Sequence, residues 1–399
     1  MTVHPLPLRI PAAPAGPARP LSLGFLSPNN PFDRRSFSGT AFFAARALAA
    51  LPGVRLRILG PHRPPRALDR ILRRAAPAVD VEALDLDGLD AVVGMVASPL
   101  LDRLMSRAPH LPALHVTDAT PAFLREAYGW RVPAAADAIE TRVAARAAAC
   151  VYSSAPIAAR AAGDLGLPDL TPQVAPFGVN LDRLPEAPPA KGSRARPELL
   201  FVGLDWTRKG GDVAVAALEV LRARGIDARL TIVGRCPERH RTHPAIEVAG
   251  FLNKNRPRDA KRLAELYARA HLLLLPTRAD CTPMVVAEAM AHGTPVLATD
   301  TGGIAGQIGG GGAGRVLPPF AAPSDWADAV EETLASDDAY AMMSDAAFDR
   351  AGALSWQAWA ARIETLARDC LSTGLATGLA PGMERTEASG HTPDLAAHA

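Results

Sequence analysis

An α/β protein built from two doubly wound parallel sheets is the fold this sequence predicts, on three observations. Short apolar runs alternate with helical patterns along most of the 399 residues. A Pro-rich, basic, non-periodic stretch at 185–197 (PEAPPAKGSRARP) interrupts that alternation once. The length leaves room for two domains of ~150–200 residues each. Strands alternating with helices give βα units and a parallel sheet, so one such domain on each side of a linker is the economical arrangement.

The elements follow in order. Residues 1–20 carry six prolines and read as an unpacked, disordered arm. The first domain, 21–184, has apolar runs that read as strands at 21–26, 54–59, 79–84, 91–97, 111–117 and 149–154, and helical patterns such as 39–51 and 134–148. After the linker at 185–197, the second domain, 198–355, begins with a strand at 199–204. A helix at 212–224 is closed by Gly225, just past its end. Strands at 230–233 and 246–249, a helix at 258–270, and strands at 271–275 and 295–299 complete the alternation. The glycine run at 309–314 has no GK[S/T] after it, so it is a turn into a strand at 315–317 and not a Walker-type phosphate loop. Residues 356–372 read as a last helix, and 373–399, rich in Gly, Thr and Ala, as a disordered tail.

Composition excludes several classes. The 43 basic and 41 acidic residues leave a formal charge of +2, too little for a dominant nucleic-acid surface. Hydrophobic residues make up 48% of the chain, enough for sizeable cores. Cys150, Cys236, Cys281 and Cys370 lie far apart with no CxxC pair, which argues against a zinc ribbon or a disulfide framework. No apolar run reaches the ~18–20 residues of a membrane helix. With no signal-peptide pattern at the N-terminus, a reducing, cytoplasmic setting is expected.

In doubly wound sheets ligands bind outside the carboxyl ends of the strands, and with two such domains the natural site is the cleft between them. The richest segment for chemistry is 272–308, LLLLPTRADCTPMVVAEAMAHGTPVLATDTGGIAGQI. A buried strand ends at Pro276 and a polar loop follows. Thr282 reads as an N-cap and Pro283 as the first residue of a helix running to His292, with Gly293 beyond it. The first amides of such a helix suit an anion such as a phosphate. Glu288 falls ~7–8 Å along that helix at ~1.5 Å per residue. There a carboxylate can accept bonds from both hydroxyls of a ribose attached to a diphosphate at the helix start. Asp280, just before the helix, is placed to accept a sugar hydroxyl. Arg208 and Lys209 follow the strand at 199–204 and precede Gly210 and Gly211, so two cations meet at a strand end where backbone can approach a ligand. Lysine is rare here: only Lys191, Lys209, Lys254 and Lys261 occur. Ser38, Gly39 and Thr40 form a flexible turn into a helix after the first strand, facing the phosphates from the other domain. Arg235, Arg239, Arg241 and Arg256 outline a basic rim suited to a phosphorylated acceptor or an anionic membrane surface. His240 and His243 lie within it, and a metal site there is not expected.

Together these residues resemble the retaining GT-B glycosyltransferases of family 4, the glycosyl transferases group 1. The pattern reads Gly203…Lys209-Gly210, then Asp280-x7-Glu288, then Glu288-Ala-Met-Ala-His-Gly-Thr-Pro-Val296, then Gly302-Gly303. In the first half the matching pieces are Ser38-Gly39-Thr40, Thr117-Asp118-Ala119-Thr120, Tyr152-Ser153-Ser154 and Pro176-Phe177-Gly178-Val179-Asn180. The resemblance spans about residues 21–370 and implies two Rossmann-like domains facing a cleft, with the last helix crossing back onto the first domain. It implies that Arg208 and Lys209 hold the diphosphate of a nucleotide-sugar donor, that Asp280 contacts the donor sugar and Glu288 the ribose, and that Gly39, Thr282 and the amides of Met284 and Val285 meet sugar or phosphate. It also implies no divalent metal and no cofactor beyond the donor. The acceptor is a glycan, a lipid-linked molecule or a small molecule, and a peripheral membrane contact at the inner face is open.

Three departures stand out. Asp280 replaces the commoner Glu and is one methylene shorter. Leu204 replaces an Arg often found after the strand-end Gly. The polar group facing the reacting centre is Asp118 or His115, and Asp118 is favoured because His115 sits inside an apolar run. The chemistry implied is attack of an acceptor hydroxyl on the anomeric carbon with retention. A sugar-nucleotide epimerase on the same architecture and a nucleotide-sugar-binding protein without turnover are the alternatives. A dehydrogenase fits poorly, since Ser27-Pro28-Asn29-Asn30 stands where GxGxxG would be.

Overall fold

The computed structural model describes residues 19–64, 78–310 and 312–373. The readings of an arm at 1–20 and a tail at 373–399 fall almost wholly outside them. Two parallel sheets organise the rest. The first contains β1 (Leu21–Leu26), β2 (Val54–Leu59), β3 (Ala91–Met95), β4 (Ala113–Thr117), β5 (Ala149–Tyr152) and β6 (Gln173–Val174) in the order β2-β1-β3-β4-β5-β6. The second contains β7 (Glu198–Gly203), β8 (Arg229–Gly234), β9 (Ile246–Gly250), β10 (Leu272–Leu275), β11 (Val296–Thr299) and β12 (Gly314–Leu317) in the order β12-β11-β10-β7-β8-β9. Strands such as β3, β10 and β11 are buried along their whole length, because helices cover both faces of a parallel sheet. In each sheet the strand order reverses once, between β1 and β3 and between β7 and β10, and a crevice opens beyond the strand ends at such a reversal.

One strand reading is corrected. Residues 79–84 do not join the sheet: Val79, Val81 and Leu84 are buried, but as anchors of a loop packed against Leu59, Leu101 and Leu104. The carbonyls of Val81 and Leu84 accept from the Arg107 guanidinium at 2.7 and 2.9 Å, which replaces the ladder a strand would need.

The final helix, Trp356–Ser372, packs on the first domain. Trp356, Trp359, Ile363 and Leu366 enter the same core as Leu23, Phe25 and Leu48. The junction is tight. Phe177 stacks on Trp356 with ring centroids 5.6 Å apart. Asn180, 2% exposed, accepts from Trp356 Nε1 at 2.9 Å and donates to the carbonyl of Ser38 at 3.0 Å. One amide thus ties the crossing helix to the loop after β1. The linker is also fastened. Lys191 Nζ donates to the carbonyls of Ala268 and His292, both at 2.9 Å, and to Thr294 Oγ1 at 2.7 Å, filling acceptors left open where two helices of the second domain end.

Gly178 is where this junction tolerates no side chain: a Cβ there would lie 2.3 Å from the Trp356 backbone nitrogen. Gly178→Ala is therefore expected to destabilise the chain by about 1–3 kcal/mol, read as a lower urea midpoint followed by tryptophan fluorescence.

Candidate active site

The carboxyl ends of β1 and β4 face those of β7, β9 and β10 across a cleft of about 440 Å³. Its basic wall is built at the reversal in the second sheet. The β7 strand runs into a short helix, Trp206–Lys209, capped by Asp205, whose carboxylate accepts from the Arg208 amide at 3.1 Å. The chain then turns at Gly210 (φ 76°), where a Cβ would lie 1.8 Å from the carbonyl of Pro276. This close approach brings the turn onto the loop after β10. The Arg278 amide donates to the carbonyl of Arg208 at 2.7 Å, and Arg278 pairs with Asp212 at 2.8 Å.

Asp280 is the hub. Its carboxylate takes Lys209 Nζ at 2.6 Å and Arg208 Nη1 at 3.5 Å, and it is nearly buried. Arg208 also donates to the carbonyl of Ala279 at 2.8 Å, and its guanidinium lies 5.3 Å from the Tyr128 ring centroid. Tyr128 comes from the first domain, at the end of the helix Pro121–Tyr128. Its hydroxyl accepts from the Cys281 amide at 3.0 Å, and Trp130 packs against its ring at 4.8 Å. Burial, and after it the Asp118 carboxylate, raise the Cys281 thiol well above the usual range, so Cys281 stays protonated and is no nucleophile.

The helix expected at 283–292 is shorter, Met284–Met290. Pro283 is extended (ψ 113°) and occupies the cap position instead of the first helical one. Thr282 is therefore not the cap. Its hydroxyl bonds to Ser153 Oγ at 2.7 Å across the domain boundary. Met284 and Val285 line the cleft. Glu288 does too, but it is fully buried and already partnered. Lys254 Nζ lies against Oε1 and the Tyr267 hydroxyl donates to Oε2 at 3.0 Å.

On the first domain, Phe37, Ser38 and Gly39 all have positive φ (48°, 56° and 92°), and Ser38 and Thr40 line the cleft. Gly39 supplies the turn itself. Asp118, just past β4, lines the cleft; His115 does not. His115 is fully buried and its Nε2 pairs with Glu140 at 2.7 Å, so it belongs to the core. Burial, and after it the Asp280 carboxylate, push the Asp118 carboxyl up to about 6. The rim segment 239–243 is not part of the cleft wall. The sequence reading passed over Lys254, Tyr128 and Trp130. Lysine rarity was the one available signal for Lys254, and the other two lie in a stretch with no diagnostic motif.

Comparison with known proteins follows from this geometry. Residues 196–336 match the model of the family described as glycosyl transferases group 1. Those residues make up most of the second domain. Two curated relatives are D-inositol 3-phosphate glycosyltransferases. The one from Corynebacterium aurimucosum is 32% identical over 43% of this chain and 43% of its own. The one from Paenarthrobacter aurescens is 32% identical over 47% of this chain and 52% of its own. The chain spans about half the length of the curated relatives it matches. Over both domains the fold is that of sucrose-phosphate synthase from Thermosynechococcus elongatus (TM-score 0.67, 18% identity, 89% of this chain and 100% of that one). HepE of Anabaena in complex with UDP is similar (TM-score 0.64, 14% identity, 87% of this chain and 100% of that one). Both sheets facing a cleft give the GT-B architecture. Among the described residues no helix is long and apolar enough to cross a membrane.

Asp118 supplies a stability test with a definite sign. Its folded-state pKa lies above the ordinary 3.8, so the folded chain holds that proton more tightly than the unfolded one. Stability from this group is therefore present at low pH and lost as pH rises from about 4 to about 6. Asp118→Asn is expected to be more stable than wild type at pH 7 by about 2–3 kcal/mol, at ~1.4 kcal/mol per unit. Urea denaturation at pH 7 and pH 4 should show the gain at the first pH and almost none at the second.

Proposed function

We propose that this chain transfers a sugar from a nucleotide-diphosphate sugar to an acceptor hydroxyl, with retention of anomeric configuration and without a divalent metal. The observation that carries the reading is the Arg208–Lys209–Asp280 cluster at the sheet reversal, with Asp118 lining the same cleft from the other domain. Arg208 also reaches the half-exposed carboxylate of Asp205 at 3.4 Å, a solvent-exposed pairing that an entering anion would replace. A diphosphate entering there would share Arg208 and Lys209 with Asp280, and these groups would neutralise the charge that grows on the departing phosphate. The bond from the anomeric carbon to the phosphate oxygen breaks, the bond to the acceptor oxygen forms on the same face, and the acceptor proton passes to the departing phosphate. No covalent sugar–protein intermediate is needed. The protein supplies position and fixed charge.

The remaining roles follow from placement. Asp280, tethered by Lys209, is oriented to accept a donor-sugar hydroxyl. Glu288 lies deeper and accepts from the ribose. The amides of Met284 and Val285 and the turn at Gly39 face the phosphate region, and Thr282 serves the site through its bond to Ser153. Asp118 faces the reacting centre. UDP is the first nucleotide to test, because the similar HepE structures hold UDP, one with glucose. A polyhydroxylated small molecule is the first acceptor class to test, because the curated relatives are named for D-inositol 3-phosphate. A cytoplasmic setting agrees with this donor chemistry.

The deciding experiment is thermal unfolding with UDP, GDP or ADP in excess EDTA, on wild type and on Lys209→Ala. One nucleotide at about 100 times its Kd should stabilise the wild type by ~2.7 kcal/mol, a rise of a few degrees. Lys209→Ala should lose most of that rise. No shift with any of the three would overturn the reading. With the stabilising nucleotide's sugar as donor, NMR of the product's anomeric proton then distinguishes retention from inversion.

A further inference from the structure

The carboxylate of Glu288 has no exposed surface, yet it lies on the cleft wall. What separates it from the open cleft is Lys254. This side chain comes from the loop after β9, is 21% exposed, and rests its ammonium on Glu288 Oε1. Behind the carboxylate the Tyr267 hydroxyl takes Oε2 at 3.0 Å. The Tyr267 ring stacks on His292 at 5.5 Å, and His292 Nδ1 meets the Glu288 carbonyl at 2.8 Å. Lys191 holds the His292 carbonyl from below at 2.9 Å. Burial lowers the His292 pKa, so that ring stays neutral. Of the groups packed around Glu288, Lys254 alone touches the carboxylate with a cation; Lys191 bonds carbonyls and Thr294, and burial lowers its ammonium pKa to about 7, a change common to wild type and the Lys254 variants.

A carboxylate with no water access keeps its charge only if a cation and hydrogen-bond donors replace its hydration. Tyr267 supplies a donor but no charge. We propose that Lys254 is a positioning residue for the nucleotide. It is the counter-ion of the Glu288 carboxylate and keeps it aimed at the cleft, and it rides with the carboxylate when the ribose hydroxyls arrive. An ammonium has three N–H donors, and one is directed at Glu288. The others are turned toward the nucleoside, where they meet oxygen acceptors on the same ribose or its base. This rests on the nucleotide reading above, since Lys254 has a function here only if a ribose meets Glu288.

The test is UDP, GDP and ADP binding by titration calorimetry at pH 6 and pH 8, on wild type, Lys254→Met and Lys254→Arg, with urea midpoints as a check of folding. For the nucleotide that binds wild type, Lys254→Met is expected to weaken binding about 10- to 100-fold, the range of one charge-assisted hydrogen bond. The loss should be larger at pH 6 than at pH 8, because a buried carboxylate without its cation takes up a proton more readily. Lys254→Arg should recover most of the affinity and remove the difference between the two pH values. A merely structural lysine would lower the urea midpoint and leave the Kd ratio independent of pH. Equal Kd for wild type and Lys254→Met at both pH values, with nucleotide bound, overturns this inference and leaves the glycosyltransferase reading intact. If wild type binds none of the three nucleotides, both fall together.

Discussion

Asp280 holds the second domain's half of the cleft together. Its two cations come from the turn after β7, while the carboxylate itself comes from the loop after β10. These are the two strands between which the sheet order reverses. Without that shared carboxylate, Arg208 and Lys209 would be two like charges side by side at a strand end, in a region where burial makes repulsion expensive. With it, and with Asp205 3.4 Å from Arg208, they are fixed in direction. The backbone enforces the same closure independently, since Gly210 allows the turn to touch Pro276 and Arg278 is locked to Asp212. A site that must hold an anion benefits from cations that are already ordered, because no rotamer freedom is lost when the anion arrives.

Polar contacts register the first domain onto that arrangement, beside Met284 and Cys281, which enter its apolar clusters. The Tyr128 hydroxyl takes the Cys281 amide, Ser153 takes Thr282, and the Arg34 amide donates to Asn255 Oδ1 at 3.0 Å. Small polar interfaces of this kind permit relative motion of domains. The exception is the last helix, whose tryptophans sit in the core of the first domain although the chain enters it from the second. Asn180 links that helix to the loop of Ser38 and Gly39. A hinge placed there moves the loop with the first domain.

Much of this was legible in the sequence, and the parts that were not have a common cause. Strands buried on both faces appear as unbroken apolar runs such as Leu272–Leu275, and these can be read directly. The local order of Arg208, Lys209, Asp280 and Glu288 was also legible, because the first three follow a strand end by a few residues and Glu288 lies in the helix after the last of these loops. The stretch 79–84 misled because alternating Val and Leu can anchor a loop as well as pleat a strand. Which one occurs depends on whether Arg107, over 20 residues away, satisfies the carbonyls. The contacts that define the site's electrostatics are of that long-range kind. Lys254 and Glu288 are 34 residues apart, Ser153 and Thr282 are 129, and Tyr128 and Cys281 are 153. No periodicity within a segment carries such pairings. The cap at Thr282 was lost for the same reason: a hydroxyl suited to a helix start found a partner in the other domain.

The two acidic positions of the second domain therefore differ more in their surroundings than their common motif indicates. Asp280 is shared by two cations and faces Asp118 across the cleft, so its neighbourhood holds both signs of charge. Glu288 is sealed by one lysine and one tyrosine and has no competing acid among its contacts. A ligand that reaches both must offer negative charge at the first and hydroxyl donors at the second. An anion brought to Glu288 would meet an uncovered carboxylate once Lys254 turned to it, and a neutral polyol brought to Arg208 and Lys209 would leave their charge uncompensated. A diphosphate joined to a ribose, the donor part proposed above, would meet both demands. The same asymmetry explains why burial is tolerated at Glu288 and penalised at Asp118. The first carboxylate is sealed together with its counter-ion, while the second lines the cleft with the like charge of Asp280 acting on it.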